Sequence, residues 1–130
     1  MYRLHCFCQS GNSFKVAMLL NCLGADWESV FVDFMNGATR DPKWRESVNA
    51  MGEAPVLETG GKTFTQSGAI LLYLAEMTDK FAPQDDRERN EALRWMEIHG
   101  GVQGQELAAT WRGLELAPDA AAPRQPVKAP

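Results

Sequence analysis

The stretch from Gly52 to Met77 constrains this chain more than any other. Val56–Thr59 and Lys62–Thr65 flank the pair Gly60-Gly61, a composition that specifies a two-residue hairpin between antiparallel strands. The segment that follows, Gln66-Ser67-Gly68-Ala69-Ile70-Leu71-Leu72-Tyr73-Leu74-Ala75-Glu76, puts a hydroxyl at the start of a helix and an apolar stripe of Ile70, Leu71, Leu74 and Met77 along it. Ser67 is therefore expected to cap the helix. A single hairpin cannot cover such a stripe, so the chain must supply further strands and helices from its N-terminal half.

It does. Residues 2–7 alternate, with Tyr2, Leu4 and Cys6 on one side and Arg3, His5 and Phe7 on the other, as in a short strand. Cys8-Gln9-Ser10-Gly11-Asn12-Ser13 is a polar turn rich in helix caps, and Phe14, Val16, Ala17, Leu19, Leu20 and Leu23 follow at helical spacing as far as Gly24. Trp27–Phe34, with Val30, Phe31 and Val32 at its centre, reads as a second strand, parallel to the first through a right-handed crossover. Residues 36–40 are loop. Asp41-Pro42 then opens a short helix carrying Trp44 and Val48. The order is βαβαββα, an α/β domain with a mixed four-stranded sheet over residues 1–80.

Residues 81–86 read as a linker, and a helix beginning near Arg87 carries Ala92, Leu93 and Met96 toward His99. Residues 87–116 form a partial helical segment, the start of an all-α domain. Gly100, Gly101, Gly104 and Gly113 interrupt helical patterning, and four of the seven prolines fall after residue 117, so disorder is expected over 117–130.

A net charge of -4 and a pI near 5.1 give no global reason to seek nucleic acid or an anionic membrane, so neither is expected as a partner. No run approaches membrane-spanning length. Cys6, Cys8 and Cys22 are odd in number and lack zinc-finger spacing, which suggests neither a disulfide framework nor a metal, and makes a reducing cytoplasmic setting the default. Cys6 is read as packing, Cys22 as core, and Cys8 as a candidate accessible thiol.

The loops define the chemistry. A strand leading into a helix N-terminus at residues 7–14 aims free N–H groups and the positive end of a helix at whatever sits above it, which favours a thiolate or carboxylate. Ser67 begins a second such terminus. Ser10, Asn12, Ser13 and Ser67 serve equally well as plain caps on this reading. Pro55, entering a strand between a polar turn and two apolar residues, fits a cis bond that would present Ala54 to a ligand, and fits a trans bond closing a turn as well.

At these residues the chain resembles the glutathione transferase superfamily, through its N-terminal, thioredoxin-like domain. Ser10-Gly11-Asn12-Ser13-Phe14-Lys15-Val16, the leucine-rich helix closed by Leu23-Gly24, Asn49-Ala50-Met51-Gly52-Glu53-Ala54-Pro55-Val56-Leu57 and Gln66–Glu76 are similar to that family's signatures, in its order and spacing, across residues 1 to about 99. The resemblance implies glutathione as co-substrate, with no metal. Gln66 and Ser67 match the pair that holds its γ-glutamyl amine and carboxylate, Ala54 before Pro55 matches the residue whose backbone pairs with its cysteinyl unit, and Glu53 falls in the same site. Ser10 and Asn12 stand where bacterial members place the group that steadies the thiolate. Lys43, with Arg40 as the alternative, matches a partner for the glycyl carboxylate. Ala50 departs from the usual proline and Gln66 from a frequent glutamate.

The implied reaction transfers the glutathione thiolate to a small electrophile, or reduces with it. A thiol of pKa about 8.5 is only about 3 per cent ionised at pH 7, and lowering it by two units, for about 2.7 kcal/mol, ionises roughly three-quarters. A hydroxyl donor at a helix N-terminus suffices for that. The family continues into a helical domain that builds the electrophile pocket and much of a dimer interface, which makes a truncated or frame-shifted product the expectation here and leaves a homodimer open. Two alternatives stand beside transfer: a non-catalytic glutathione-binding module, and a glutaredoxin-like thiol oxidoreductase acting through Cys8.

Overall fold

The computed structural model describes residues 1–100, with side chains through Ile98, so the expectations for residues 101–130 lie outside the described residues. The strands are β1 (Tyr2–Cys6), β2 (Trp27–Phe31), β3 (Val56–Thr59) and β4 (Lys62–Thr65), and the helices are α1 (Gly11–Leu23), α2 (Pro42–Ser47), α3 (Ser67–Thr78) and α4 (Asp86–Gly100). The sheet runs in the order β2-β1-β3-β4, with β1 parallel to β2 and both β1–β3 and β3–β4 antiparallel. This is the mixed four-stranded sheet and βαβαββα order of a thioredoxin-like fold, followed by a helical segment.

Each element has a local cause. Gly60 and Gly61 take φ of 55° and 72°, the two positive values that a tight right-twisting hairpin needs and that side chains resist. Gly24, at φ 64°, closes α1 as a left-handed C-cap whose N–H returns to Asn21 and Leu20. Asp41 caps α2 through the Lys43 N–H, with Pro42 behind it. Before α4, the Asp85 carboxylate accepts the Glu88 N–H while Glu88 reaches back to the Gln84 N–H, a reciprocal cap that starts the helix one residue earlier than expected.

The core lies between the sheet and the pair α1 and α3. Leu4 and Leu57 from the strands meet Val16, Leu20 and Leu23 of α1 and Ile70 and Leu74 of α3, and all but Leu23 are fully buried. Burying a side chain of this kind contributes about 1.5–3 kcal/mol, so this layer dominates the stability. Phe64 stacks on Tyr73 at 4.0 Å and ties β4 to α3. On α3 rests α4, through the Arg89–Glu76 ion pair at 2.8 Å and the approach of Met96 to Gly68, where a Cβ would meet the Met96 Cβ at 3.6 Å.

Several expectations are corrected. Cys22 is exposed rather than core, and Met77 and Phe14 are also exposed, at 64% and 65%. The buried stripe of α1 is Ser13, Val16, Leu20 and Leu23, and Phe14, Met18 and Cys22 share the opposite face. Strand β2 ends at Phe31: Val32 makes the last ladder bond, its N–H to the Cys6 carbonyl, and the chain then leaves the sheet toward a 3-10 turn at Ala38–Arg40 where loop was expected. Ser67 does not cap α3. It is the first helical residue, and Gln66 occupies the cap position without a side-chain capping bond.

Candidate functional site

The strand register brings the marked residues to one end of the sheet. His5 pairs with Val56, so one further step along β1 and β3 sets Cys6 beside Pro55. Val56 pairs with Thr65, so the next step along β3 and β4 sets Pro55 beside Gln66. β4 runs parallel to β1, and the helices that follow them, α1 and α3, therefore both begin at this end. Three chain segments converge there: the turn 7–13, the entry Glu53-Ala54-Pro55, and Gln66-Ser67.

Ser10 is the N-cap of α1, half-buried, and its Oγ accepts the Ser13 N–H at 3.1 Å. That bond uses an acceptor lone pair and leaves the hydroxyl proton free to be donated outward. Asn12 is the second residue of the helix, half-buried, with its carboxamide unbonded among the described residues. Ser13 contributes its N–H to the cap and buries its own hydroxyl, which makes no hydrogen bond among the described residues. The carbonyl of Phe7 accepts the Ser10 N–H, and Phe7 stacks on Phe34 at 4.5 Å with nearly parallel rings. The turn that carries Ser10 is thus tied to the loop after β2.

The Ala54–Pro55 peptide is cis. Pro55 is buried and Ala54 half-buried. Ahead of them the chain is held by Asn49, which sequence reasoning placed in the motif without a role. It is buried, its amide donates to the Glu53 carbonyl at 2.9 Å, and its oxygen accepts the Met51 N–H. Gly52, at φ 69°, lies where a Cβ would come within 2.8 Å of the Thr39 carbonyl oxygen and of the Arg45 guanidinium that donates to that oxygen. Only glycine fits there.

Across the ladder, Ser67 is buried in the first turn of α3, and Gln66 before it takes φ 67° and ψ 116°. A glutamine held in this sparsely populated region costs about 1–3 kcal/mol, and such strain concentrates where a side chain is aimed at a ligand. The Gln66 Nε2 donates to Glu53 Oε2 at 2.7 Å, joining the two sides of the cleft. No sequence signal announced the positive φ, since the position is not a glycine.

Two further expected residues are exposed. Lys43 lies at the start of α2, exposed, with no ion pair of its side chain among the described residues. Cys8 is exposed and turns its thiol to the Gln9 Oε1 at 3.1 Å. Cys6 is half-buried, and burial first and the neighbouring Cys8 second push its thiol above its ordinary 9.0. Burial pulls the Lys15 ammonium below 10.5. Among the described residues no group of three or more His, Cys, Asp and Glu could hold a metal ion, and no helix is long and apolar enough to cross a membrane.

Comparison with known proteins points to one family. Residues 2–76 match the family model described as glutathione S-transferase, N-terminal domain. Glutathione S-transferase F14 of Arabidopsis thaliana is 35% identical over 100 residues, which is 74% of this chain and 39% of that protein. A disulfide-bond oxidoreductase of Escherichia coli strain K12 is 34% identical over 118 residues, 86% of this chain and 55% of the relative. The chain therefore spans about half the length, or less, of these relatives. A glutathione transferase from Pseudomonas putida, solved with one glutathione disulfide per subunit, superimposes with a TM-score of 0.66 at 29% identity over 77% of this chain and 45% of that one.

Proposed function

The chain belongs to the glutathione S-transferase family, matched through its N-terminal domain over residues 2–76, and from that premise we propose that it binds glutathione, stabilises the thiolate and delivers it to a small electrophile. The observation that carries this reading is the convergence at one sheet end of a capped helix start, the Ala54–Pro55 entry and the buried Ser67 of a second helix start. The nucleophile is the sulfur of glutathione, and the protein's part is to hold it and lower its pKa.

The division of labour follows from the donors and acceptors. Ser67, with the N–H groups of the first turn of α3, receives the γ-glutamyl α-carboxylate at the positive end of the helix. The Ala54 backbone pairs with the cysteinyl unit. Ser10, its oxygen already engaged with the Ser13 N–H, donates its proton to the sulfur, and Asn12 is the second donor in reach of the same helix start. Lys43 takes the glycyl carboxylate. The electrophile itself is unassigned.

Replacing Ser10 with alanine tests this directly. The ultraviolet absorbance of the bound thiolate, titrated against pH, is expected to move to a higher midpoint; an unmoved midpoint would transfer the role to Asn12 or to the backbone.

A second reading is favoured by the exposed Cys8 thiol. Disulfide-bond oxidoreduction, the activity named for the Escherichia coli relative, would here take glutathione as reductant and pass through a mixed disulfide between Cys8 and glutathione, which a second glutathione releases as glutathione disulfide. Cys8→Ser separates the two readings: loss of disulfide reductase activity with glutathione binding retained assigns the chemistry to Cys8, and retained activity assigns it to the sulfur of bound glutathione alone. A variantless check addresses the binding-module alternative, since retention on immobilised glutathione without turnover of a generic electrophile would remove catalysis from the proposal.

A further inference from the structure

The γ-glutamyl end of glutathione carries an ammonium beside its carboxylate, and the residues assigned so far contain no anion to meet it. Ser67 and the start of α3 are donors suited to the carboxylate. Gln66 is neutral. We propose that Glu53 supplies the missing charge, and that the hydrogen bond between Glu53 and Gln66 builds a three-acceptor seat for the ammonium; this rests on the glutathione reading above.

The geometry supports it. Glu53 can only accept, so the Gln66 amide must present its Nε2 to Oε2, as it does at 2.7 Å, and its Oε1 is left as an acceptor on the other side. With both Glu53 oxygens still holding free lone pairs, the pair offers three acceptor atoms to the three protons of an ammonium. Both ends of the pair are fixed in place by the backbone. Asn49 grips the Glu53 carbonyl, and Gln66 stands at its positive φ directly before Ser67. Carboxylates in neighbouring loops are engaged elsewhere: Asp33 accepts the Asn36 amide, and Asp41 caps α2 through the Lys43 N–H. Glu53 and Gln66 are exposed, and no hydrogen bond of Glu53 other than those through Asn49 and Gln66 is present among the described residues, so the carboxylate contributes nothing further to the fold.

The test uses the full chain and two ligands, glutathione and its deamino analogue, in which hydrogen replaces the α-amino group. Isothermal titration of the wild type is expected to give a preference for glutathione of about 5-fold or more, the worth of one partly solvated charge pair. Glu53→Gln should abolish the preference while leaving the affinity for the deamino analogue unchanged. The double variant E53Q/Q66E, which interchanges carboxylate and carboxamide, should restore it. A wild type that binds both ligands equally, or an E53Q chain that keeps the preference, overturns the proposal while glutathione binding stands. A wild type that binds neither ligand overturns the glutathione reading and this proposal with it.

Discussion

The two ends of the sheet treat their polar groups in opposite ways. At the far end, Arg3 on β1 reaches Glu28 on β2 at 2.8 Å and Glu58 on β3 at 3.0 Å, and His5 Nε2 lies 3.0 Å from the other Glu58 oxygen. Arg3, Glu28 and Glu58 each have a charged partner there, and a shallow hollow lined by Arg3, Glu58, Gly60, Gly61 and Lys62 opens beside them. At the near end, Ser10 keeps a proton, Asn12 keeps a carboxamide, and Glu53 and Gln66 keep acceptors after bonding each other. Both ends are polar, but at the far end Arg3 and Glu58 spend their charge on each other across the strands, while at the near end the donors and acceptors left over belong to groups that face one cleft. Satisfied polarity fastens strands, while unsatisfied polarity on a rigid frame marks the place where a ligand completes the set.

The contrast breaks most readily through the layer that both ends share. Leu57 is fully buried on β3, which Pro55 leads into and which carries Glu58 toward its other end. Leu57→Ala is expected to cost about 2–5 kcal/mol in denaturant unfolding, and glutathione affinity should fall with the folded fraction. Full stability in that variant would refute the placement of the core.

Next in size, and confined to the near end, Ser67→Ala should weaken glutathione binding by about 1–3 kcal/mol in calorimetry. An unchanged affinity removes Ser67 from the site. At the far end Glu58→Gln should cost about 1 kcal/mol or less of stability, because the Arg3 pair is partly exposed, Arg3 retains Glu28 and the carboxamide still sets an oxygen beside the buried His5, and glutathione binding should not respond. A loss of binding there would erase the distinction between the two ends.

The smallest expected effect concerns pH. The Cys6 thiol is raised in the folded chain by burial and by Cys8, so the folded state holds its proton more tightly than the unfolded one. This contribution is complete below the unfolded value and is lost as pH rises through the folded value, an alkaline decline in thermal midpoint. Cys6→Ser should flatten that decline above about pH 9 and leave the neutral range unchanged. An identical alkaline limb in both proteins would show that the decline comes from other groups.

Much of this was legible from residues alone, and the exceptions have physical reasons. The Gly60-Gly61 hairpin, the parallel crossover and the convergence of three loops follow from short-range patterns. The face of α1 does not, because the helix is apolar on two sides: Val16, Leu20 and Leu23 recur at one phase, Phe14, Met18 and Cys22 at another, and Ser13 rather than Phe14 falls in line with the buried set. Gln66 hides its backbone for a different reason, since a left-handed residue normally announces itself as glycine and this one is held there by its neighbours. The Glu53–Gln66 bond spans thirteen positions and could be foreseen only by extending the strand register past both strand ends.

That register gives the hairpin turn a consequence out of proportion to its position. Exposed turns of two residues are ordinarily where a chain absorbs insertions most easily. Here the turn works as a gauge: the pairing Val56 to Thr65 is counted from Gly60-Gly61, and the gap between Glu53 and Gln66 is counted from that pairing. One residue added at the tip would turn every side chain of β4 to the opposite face and carry Gln66 and Ser67 out of alignment with Ala54. The part of the hairpin most distant from the ligand is the part that sets the width of its seat.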